Sequence, residues 1–321
     1  MKRSDTRGVP GGRPPELARR GAVSPGLTSE GAQRLSEEGR RHHKAPRHAG
    51  GSGGSPPRAN TARQLAKRSQ RERTRLFLAE GPQAVRESLG GNLITELFVT
   101  APARARHRDL VDAVAAATVP VHEVSGELMA ELAQTVTPQG LLAVCPFLDV
   151  SLADLVAASP RLVVLLANVR DPGNAGTVLR TADAAGADGV IFADASVDPY
   201  NSKCVRSSAG SLFHLPVVTG VPLAQAAQAV RQAGLSVFAA DGRASLSLDQ
   251  LADTDRLGQP TAWVFGNEAW GLPSELLALA DEAVAVPIYG HAESLNLAAA
   301  AAVCLYASAR AHAQGGAAQV T

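Results

Sequence analysis

Residues 161–192, RLVVLLANVRDPGNAGTVLRTADAAGADGVIF, limit the possible folds more than any other stretch of the chain. Two apolar runs flank a Pro, Gly and Asn turn and a short helical segment, the pattern of one βαβ unit. The run 162–166 is unbroken Leu and Val, as suits a strand buried on both faces. Asp171, Pro172, Gly173, Asn174 and Gly176 break that run and leave backbone N–H groups unpaired where the next helix starts, a natural place for an anion. Arg180 follows inside the helix. Beside such a loop a guanidinium is either a phosphate ligand or a salt-bridged helix residue, and the local pattern leaves both open.

The same alternation recurs downstream. NSKCVRSSAGSLFHLPVV reads as a helix leading into a strand, 222–233 as a helix, and 236–240 as a strand ending in Asp241-Gly242. Residues 262–265 form another strand, followed at once by Gly266-Asn267-Glu268-Ala269-Trp270-Gly271-Leu272. A last strand at 282–288 leads through Tyr289-Gly290-His291-Ala292-Glu293-Ser294 into an alanine-rich helix over 295–313. This repetition predicts an α/β fold. Its sheet should be mostly parallel with helices on both faces, and its sites should lie where loops leave the carboxyl ends of strands.

Upstream, strand-like runs at 76–79, 93–100, 119–124 and 141–146 alternate with helical segments at 82–89, 105–117 and 125–133. That is a small α/β domain, near the minimum size for its own core. Its turn-rich loop TVTPQG (135–140) is a candidate for binding. Residues 1–60 are rich in Gly, Pro, Ser and Arg and close on AGGSGGSPPRAN, the composition of a disordered tail. The expected organisation is therefore a basic tail over 1–60, a first domain over 61–148, a linker with a helix inside it over 149–160, and a second domain over 161–315.

Charge is distributed unevenly along this plan. Residues 1–76 carry 18 Lys or Arg against 6 Asp or Glu, and the remainder 13 against 24, although the net charge is only +1. A helix is expected from Thr61 through Arg75, where Lys67, Arg71 and Arg75 are spaced by four and would share a face suited to the backbone phosphates of a nucleic acid. The plainer reading is a row of solvated charges.

Several function classes are disfavoured. Cys145, Cys204 and Cys304 are far apart and form no C-x-x-C pair, so buried thiols are expected rather than a zinc site or a disulfide framework. Alanine dominates the longest apolar stretch, 297–307, which is too short for a membrane span. No hydrophobic core follows the first cations, so no secretory signal is expected. DPGNAG lacks the G-x-G-x-x-G spacing of a dinucleotide site, and the chain has no phosphate-loop, H-E-x-x-H or G-x-S-x-G motif.

NVRDPGNAGTVLRTADAAG, FGNEAWGL and VPIYGHAESLNLAAAAAV resemble, in order, the three motifs of the SpoU/TrmH family of RNA ribose 2′-O-methyltransferases in the SPOUT superfamily. The likeness covers roughly 162–310. Residues 62–146 are similar to the ribosomal-protein-like substrate-binding domain that precedes the catalytic domain in ribosomal RNA members. The resemblance implies a trefoil-knotted catalytic domain, S-adenosylmethionine as cofactor with no metal, and a cytoplasmic homodimer with an active site shared between subunits. It also implies an RNA partner, with ribosomal RNA favoured over transfer RNA; the rival reading is a non-catalytic RNA-binding protein that keeps the fold and serves in assembly.

Matched residue by residue, Asn174 and Arg180 stand where the first motif has its Asn and Arg. Glu268 stands at the Glu of the second motif, and Ser294 and Asn296 at the Ser and Asn of the third. Gly266, Ile288 and Leu297 fall where the family holds its cofactor, through backbone groups and apolar contact. Ala269 replaces the more usual Gly of the second motif. The chemistry suits these residue types, because a ribose hydroxyl must be aligned and lose one proton while a methyl sulfonium is already electrophilic. Arg180 is expected to orient the hydroxyl and clamp a phosphate, since a guanidinium is a poor base. Structural alternatives stay open: Asn174, Ser294 or Asn296 can cap helices, and Glu268 can be a buried hydrogen-bond acceptor. His214 and His291 are given no catalytic task.

Overall fold

The computed structural model describes residues 57–267 and 269–318. The expected tail therefore lies outside the described residues up to position 56, and helix begins at Pro57, four residues inside the stretch expected to lack structure.

The first half runs α1 (Pro57–Gln64), α2 (Arg68–Thr74), β1 (Leu76–Glu80), α3 (Pro82–Gly90), β2 (Glu96–Val99), α4 (Ala101–Arg106), α5 (Arg108–Ala116), β3 (Val121–Glu123), α6 (Gly126–Ala133) and β4 (Leu141–Pro146). Its strands form a four-stranded sheet in the order β1-β4-β2-β3, antiparallel except for the β2–β3 pair. One face of that sheet (Leu78, Phe98, Leu142, Val144) packs on α1 and α6 through Ala59, Ala62, Met129 and Leu132. The opposite face (Phe77, Ala79, Leu97, Ala143) belongs to the main core of the molecule.

Two helices differ from expectation. The single helix expected over 61–75 is broken, because Lys67 is extended (φ −91°, ψ 130°) and Arg75 is left-handed (φ 56°). Leu65 is buried at the break, and the Arg71 guanidinium donates to the carbonyls of Leu65 (2.8 Å) and Ala66 (3.0 Å) that the interrupted helix leaves over. The helix expected over 105–117 begins earlier, at Ala101 under a Thr100 cap, and bends at His107.

The second half runs α7 (Leu152–Ala157), β5 (Leu162–Ala167), α8 (Pro172–Ala184), β6 (Gly189–Ala193), α9 (Ser202–Ser207), β7 (Val217–Val221), α10 (Leu223–Gln232), β8 (Ser236–Ala240), β9 (Leu246–Ser247), α11 (Leu248–Ala252), β10 (Thr261–Phe265), α12 (Ser274–Leu277), β11 (Glu282–Ala285) and α13 (Leu297–Ala318). Its seven strands form a wholly parallel sheet in the order β7-β6-β5-β10-β8-β11-β9. β5 is central and every residue in it is buried. The two-residue period of a strand divides it: Leu162, Val164 and Leu166 join the core that includes α8 and α13, while Val163, Leu165 and Ala167 join the core under α7 and α10. The segment expected to be a linker is integrated into this layer structure, with Asp149 bridged to Val217 beside β7 and α7 packed on α10.

Candidate active site

Each motif loop leaves the carboxyl end of a sheet strand: 168–171 after β5, 266–272 after β10, and 286–296 after β11. The first loop is shaped by Asp171, the N-cap of α8. Its Oδ1 accepts the Asn174 N–H at 2.8 Å, and Pro172 occupies the first helical turn, where a missing N–H costs nothing. The capping role left open for Asn174 thus falls to Asp171. Hydrogen bonds from the Lys203 ammonium (2.7 Å) and from the Asn174 N–H hold the Asp171 carboxyl below the usual carboxylate range against a smaller opposing effect of burial.

The second loop folds back on itself. Asn267 and Gly271 exchange two backbone hydrogen bonds of 2.9 Å, with Gly271 left-handed (φ 69°). A Cβ at Gly266 would sit 2.5 Å from the Gly271 carbonyl, so only glycine permits this closure. Asn267 is 5% exposed, and its Nδ2 donates to the Asn168 carbonyl at 2.9 Å, tying the second loop to the first. Its Oδ1 accepts the Ala269 N–H at 2.8 Å. Glu268 lies outside the described residues.

The third loop is largely exposed and reaches α13 through Asn296, whose Oδ1 accepts the Ala298 N–H at 2.9 Å and whose Nδ2 donates to Asn174 Oδ1 at 3.1 Å. Asn296 therefore both caps α13 and ties the third loop to the first. Ser294 is exposed in the loop, Ile288 is 39% exposed, and Leu297 is the half-buried first residue of α13. Arg180 is exposed on α8, fewer than two helical turns beyond Asn174. Among the described residues no group of His, Cys, Asp and Glu could hold a metal.

The proposed RNA face on 67–75 needs correction. Arg71 is 4% exposed and donates to Asp198 Oδ2 at 2.8 and 2.5 Å, so burial removes it from any phosphate. Arg75 lies 4.5 Å over the Phe147 ring and pairs with Asp149 at 2.8 Å, which gives it a structural partner although it is exposed. Only Lys67 of the three is exposed without such a partner among the bonds described. All three cysteines are buried, which pushes the thiols of Cys145 and Cys304 up to about 12 and raises that of Cys204. Asp171, Asn267 and Lys203 were not singled out as site residues from the sequence. An Asp-Pro pair opening a helix was a usable signal for the first, whereas the other two depend on tertiary contacts.

Residues 161–306 match the SpoU rRNA Methylase family, and residues 57–143 match the MRM3-like substrate binding domain. The chain is 33% identical over 245 residues, covering 76% of its length and 92% of the other's, to 23S rRNA (guanosine(2553)-2′-O)-methyltransferase RlmP of Bacillus subtilis (strain 168). It is 33% identical over 222 residues, 68% of its length and 89% of the other's, to 23S rRNA (guanosine-2′-O-)-methyltransferase RlmB of Bordetella pertussis. Among solved structures, the AdoMet-bound rRNA methyltransferase from Sinorhizobium meliloti matches with a TM-score of 0.69 at 30% identity, covering 79% of this chain and 94% of that one. The SpoU methyltransferase AviRb from Streptomyces viridochromogenes in complex with AdoMet gives 0.69 at 29% identity, covering 81% and 100%. With three motif loops gathered at one edge of a parallel sheet and this extent of likeness, the chain belongs to the SpoU rRNA methylase family of SpoU/TrmH methyltransferases.

Proposed function

We propose that this chain transfers the methyl group of S-adenosylmethionine to a ribose 2′-hydroxyl of ribosomal RNA. The observation that carries the reading is the pair of side-chain ties, Asn267 to the Asn168 carbonyl and Asn296 to Asn174, which bring three loops distant in sequence to one place. The loops also suit the cofactor. They offer backbone groups around Gly266 and apolar surface at Ile288 and Leu297, a neutral setting for an adenosyl group, with Gly266, Ile288 and Leu297 as the residues that would hold it.

When bound, S-adenosylmethionine supplies an already electrophilic methyl carbon. The chain's task is then alignment and the handling of one proton. Arg180 orients the 2′-hydroxyl and clamps the adjacent phosphate, and the hydroxyl proton leaves to that phosphate or to water as the new O–CH3 bond forms and the S–CH3 bond breaks. Asn174, Ser294 and Asn296 position ribose and loops through neutral hydrogen bonds, and Glu268 acts with them at the second loop. Residues 57–143 hold the RNA, with Lys67 among the phosphate contacts. A cytoplasmic location goes with this reading.

Two architectural readings go with this function. Ala299, Val303 and Tyr306 form an exposed stripe on α13, with Val303 43% and Tyr306 54% exposed, and a second copy of the chain is the occupant in a homodimer. α13 follows β11 and packs on α8, and we infer that this return is the passage that closes a trefoil knot.

The test is to mix the purified protein with S-adenosylmethionine labelled in the methyl group and ribosomal RNA transcribed in vitro, alongside a calorimetric titration of the cofactor alone. Cofactor binding and label in the RNA are expected. A protein that neither binds the cofactor nor labels the RNA contradicts the reading.

A further inference from the structure

Lys203 sits on α9, outside all three motifs, yet its ammonium reaches the turn that opens α8. We propose that Lys203 is a positioning residue for methyl transfer, acting through Asp171 to fix the first turn of α8 and with it Asn174. This rests on the function proposed above and adds a residue to its machinery.

The geometry is a divided carboxylate. Asp171 Oδ1 accepts the Asn174 N–H at 2.8 Å and Oδ2 accepts Lys203 Nζ at 2.7 Å, so both oxygens are engaged and the side chain is held against rotation about its last torsion. Asn174, ordered from below in this way, meets Asn296 above at 3.1 Å. The support for Lys203 is itself rigid. α9 lies so close to α8 that a Cβ at Gly176 would come within 2.0 Å of Ser207 Oγ and 2.3 Å of the Cys204 carbonyl. Ser207 Oγ lies 3.2 Å from the Pro172 carbonyl, its one proton shared with the nearer Lys203 carbonyl at 2.8 Å. At Gly173 a Cβ would meet Lys203 Cε at 3.0 Å, so the lysine stem lies against the turn that its charge secures.

α9 is anchored in turn to the first half of the chain. Asn201 caps it by accepting the Lys203 N–H at 2.9 Å, and the preceding turn is set by Asp198, which accepts the Tyr200 N–H at 2.8 Å and binds the buried Arg71 of α2. A continuous series of bonded groups thus joins α2, next to the sheet that matches the substrate-binding family, to Asn174 in the first motif. Lys203 is the last link before the catalytic loop.

The experiment uses the full chain as wild type, K203M, K203R, D171N and the K203M/D171N pair. Turnover is measured with methyl-labelled S-adenosylmethionine and ribosomal RNA transcribed in vitro, and amide exchange of residues 172–178 is measured on the free protein. K203M should lower kcat about tenfold, the scale expected when a reacting group is slightly misplaced, with KM for RNA little changed. K203R should recover most of that loss, D171N should match K203M, and the pair should be no worse than D171N alone, because both substitutions cut one link. Exchange over 172–178 should quicken in K203M. A raised KM in K203M with kcat intact and D171N without effect would make Lys203 a direct RNA ligand and overturn the proposal, as would losses that multiply in the pair. Exchange needs no catalysis: a wild-type chain inactive on this RNA counts against the proposed function, whereas exchange equal in K203M and wild type counts against the role of Lys203.

Discussion

At the scale of single residues, Arg180 and Arg71 show how the same side chain can serve opposite ends. Arg180 is exposed on α8 beside the tied loops and is available to a polyanion, while Arg71 is enclosed and satisfied by Asp198 and two carbonyls. R180A is expected to lower methyl transfer by about 10² to 10³, the usual cost of removing a preorganised group at a reacting centre, and to leave cofactor affinity unchanged. R180K keeps the charge and loses the planar fork, so its turnover should fall well below wild type. Near-full turnover in the lysine variant at unchanged pH dependence would contradict the clamp. The sequence made Arg180 legible because it lies within a recognisable motif at a fixed offset from Asn174. It misled at Arg71, since spacing by four describes a face only while the helix continues, and the helix here stops at Gln64. Burial of an arginine depends on a distant aspartate, 127 positions away, that no local pattern reports.

At the scale of elements, α8 is held on one side by α9 and on another by α13, and at its far end by His214, which follows the 3-10 turn Ser211–Phe213. His214 Nδ1 meets Asp183 of α8 at 2.8 Å and Nε2 meets Glu87 of α3 at 3.1 Å. Burial works against its charge, but the bonds to the two carboxylates outweigh it and the histidine pKa is raised above its ordinary value. Its contribution to stability is fully present below the unfolded-state pKa and is lost as pH rises through the folded-state value. The difference in urea midpoint between wild type and H214Q should therefore be larger near about pH 6 than near about pH 9. A difference that grows with pH, or does not change, would contradict this account of the α3–α8 bridge. The strands were the most legible elements, because β5 and, after Thr261, β10 are apolar runs whose burial on both faces follows from a central place in a parallel sheet. Ends were less legible: β11 stops at Ala285, before the Pro287 that the longer expected strand had included.

At the scale of the whole molecule, the two halves share a core. Tyr200 stacks on Phe147 at 3.9 Å and lies 4.9 Å from Phe77, its hydroxyl accepts the Leu148 N–H at 2.8 Å, and Arg206 reaches Glu80 of β1 at 3.3 Å. The stretch 149–160, expected to link the domains with a helix inside it, holds α7, and composition could not report how it packs on segments far apart in the chain. Two exposed residues on α13 bear on the assembly. A charge placed there, as in Y306D, should convert the proposed homodimer to monomers in sedimentation equilibrium, and a wild-type chain that sediments as a monomer would exclude that assembly. The proposed knot belongs to the same scale and is likewise invisible to periodicity, since strand order says which strands are neighbours and not which segment passes through which loop.

The central claim is that three loops at one sheet edge set a methyl donor against a single sugar oxygen of ribosomal RNA. The most direct measurement digests the labelled RNA to nucleosides after reaction and asks where the methyl group resides. The account predicts label in one 2′-O-methylated nucleoside, at a linkage that resists alkaline cleavage. Label on a base, or none in RNA despite bound S-adenosylmethionine, would contradict it.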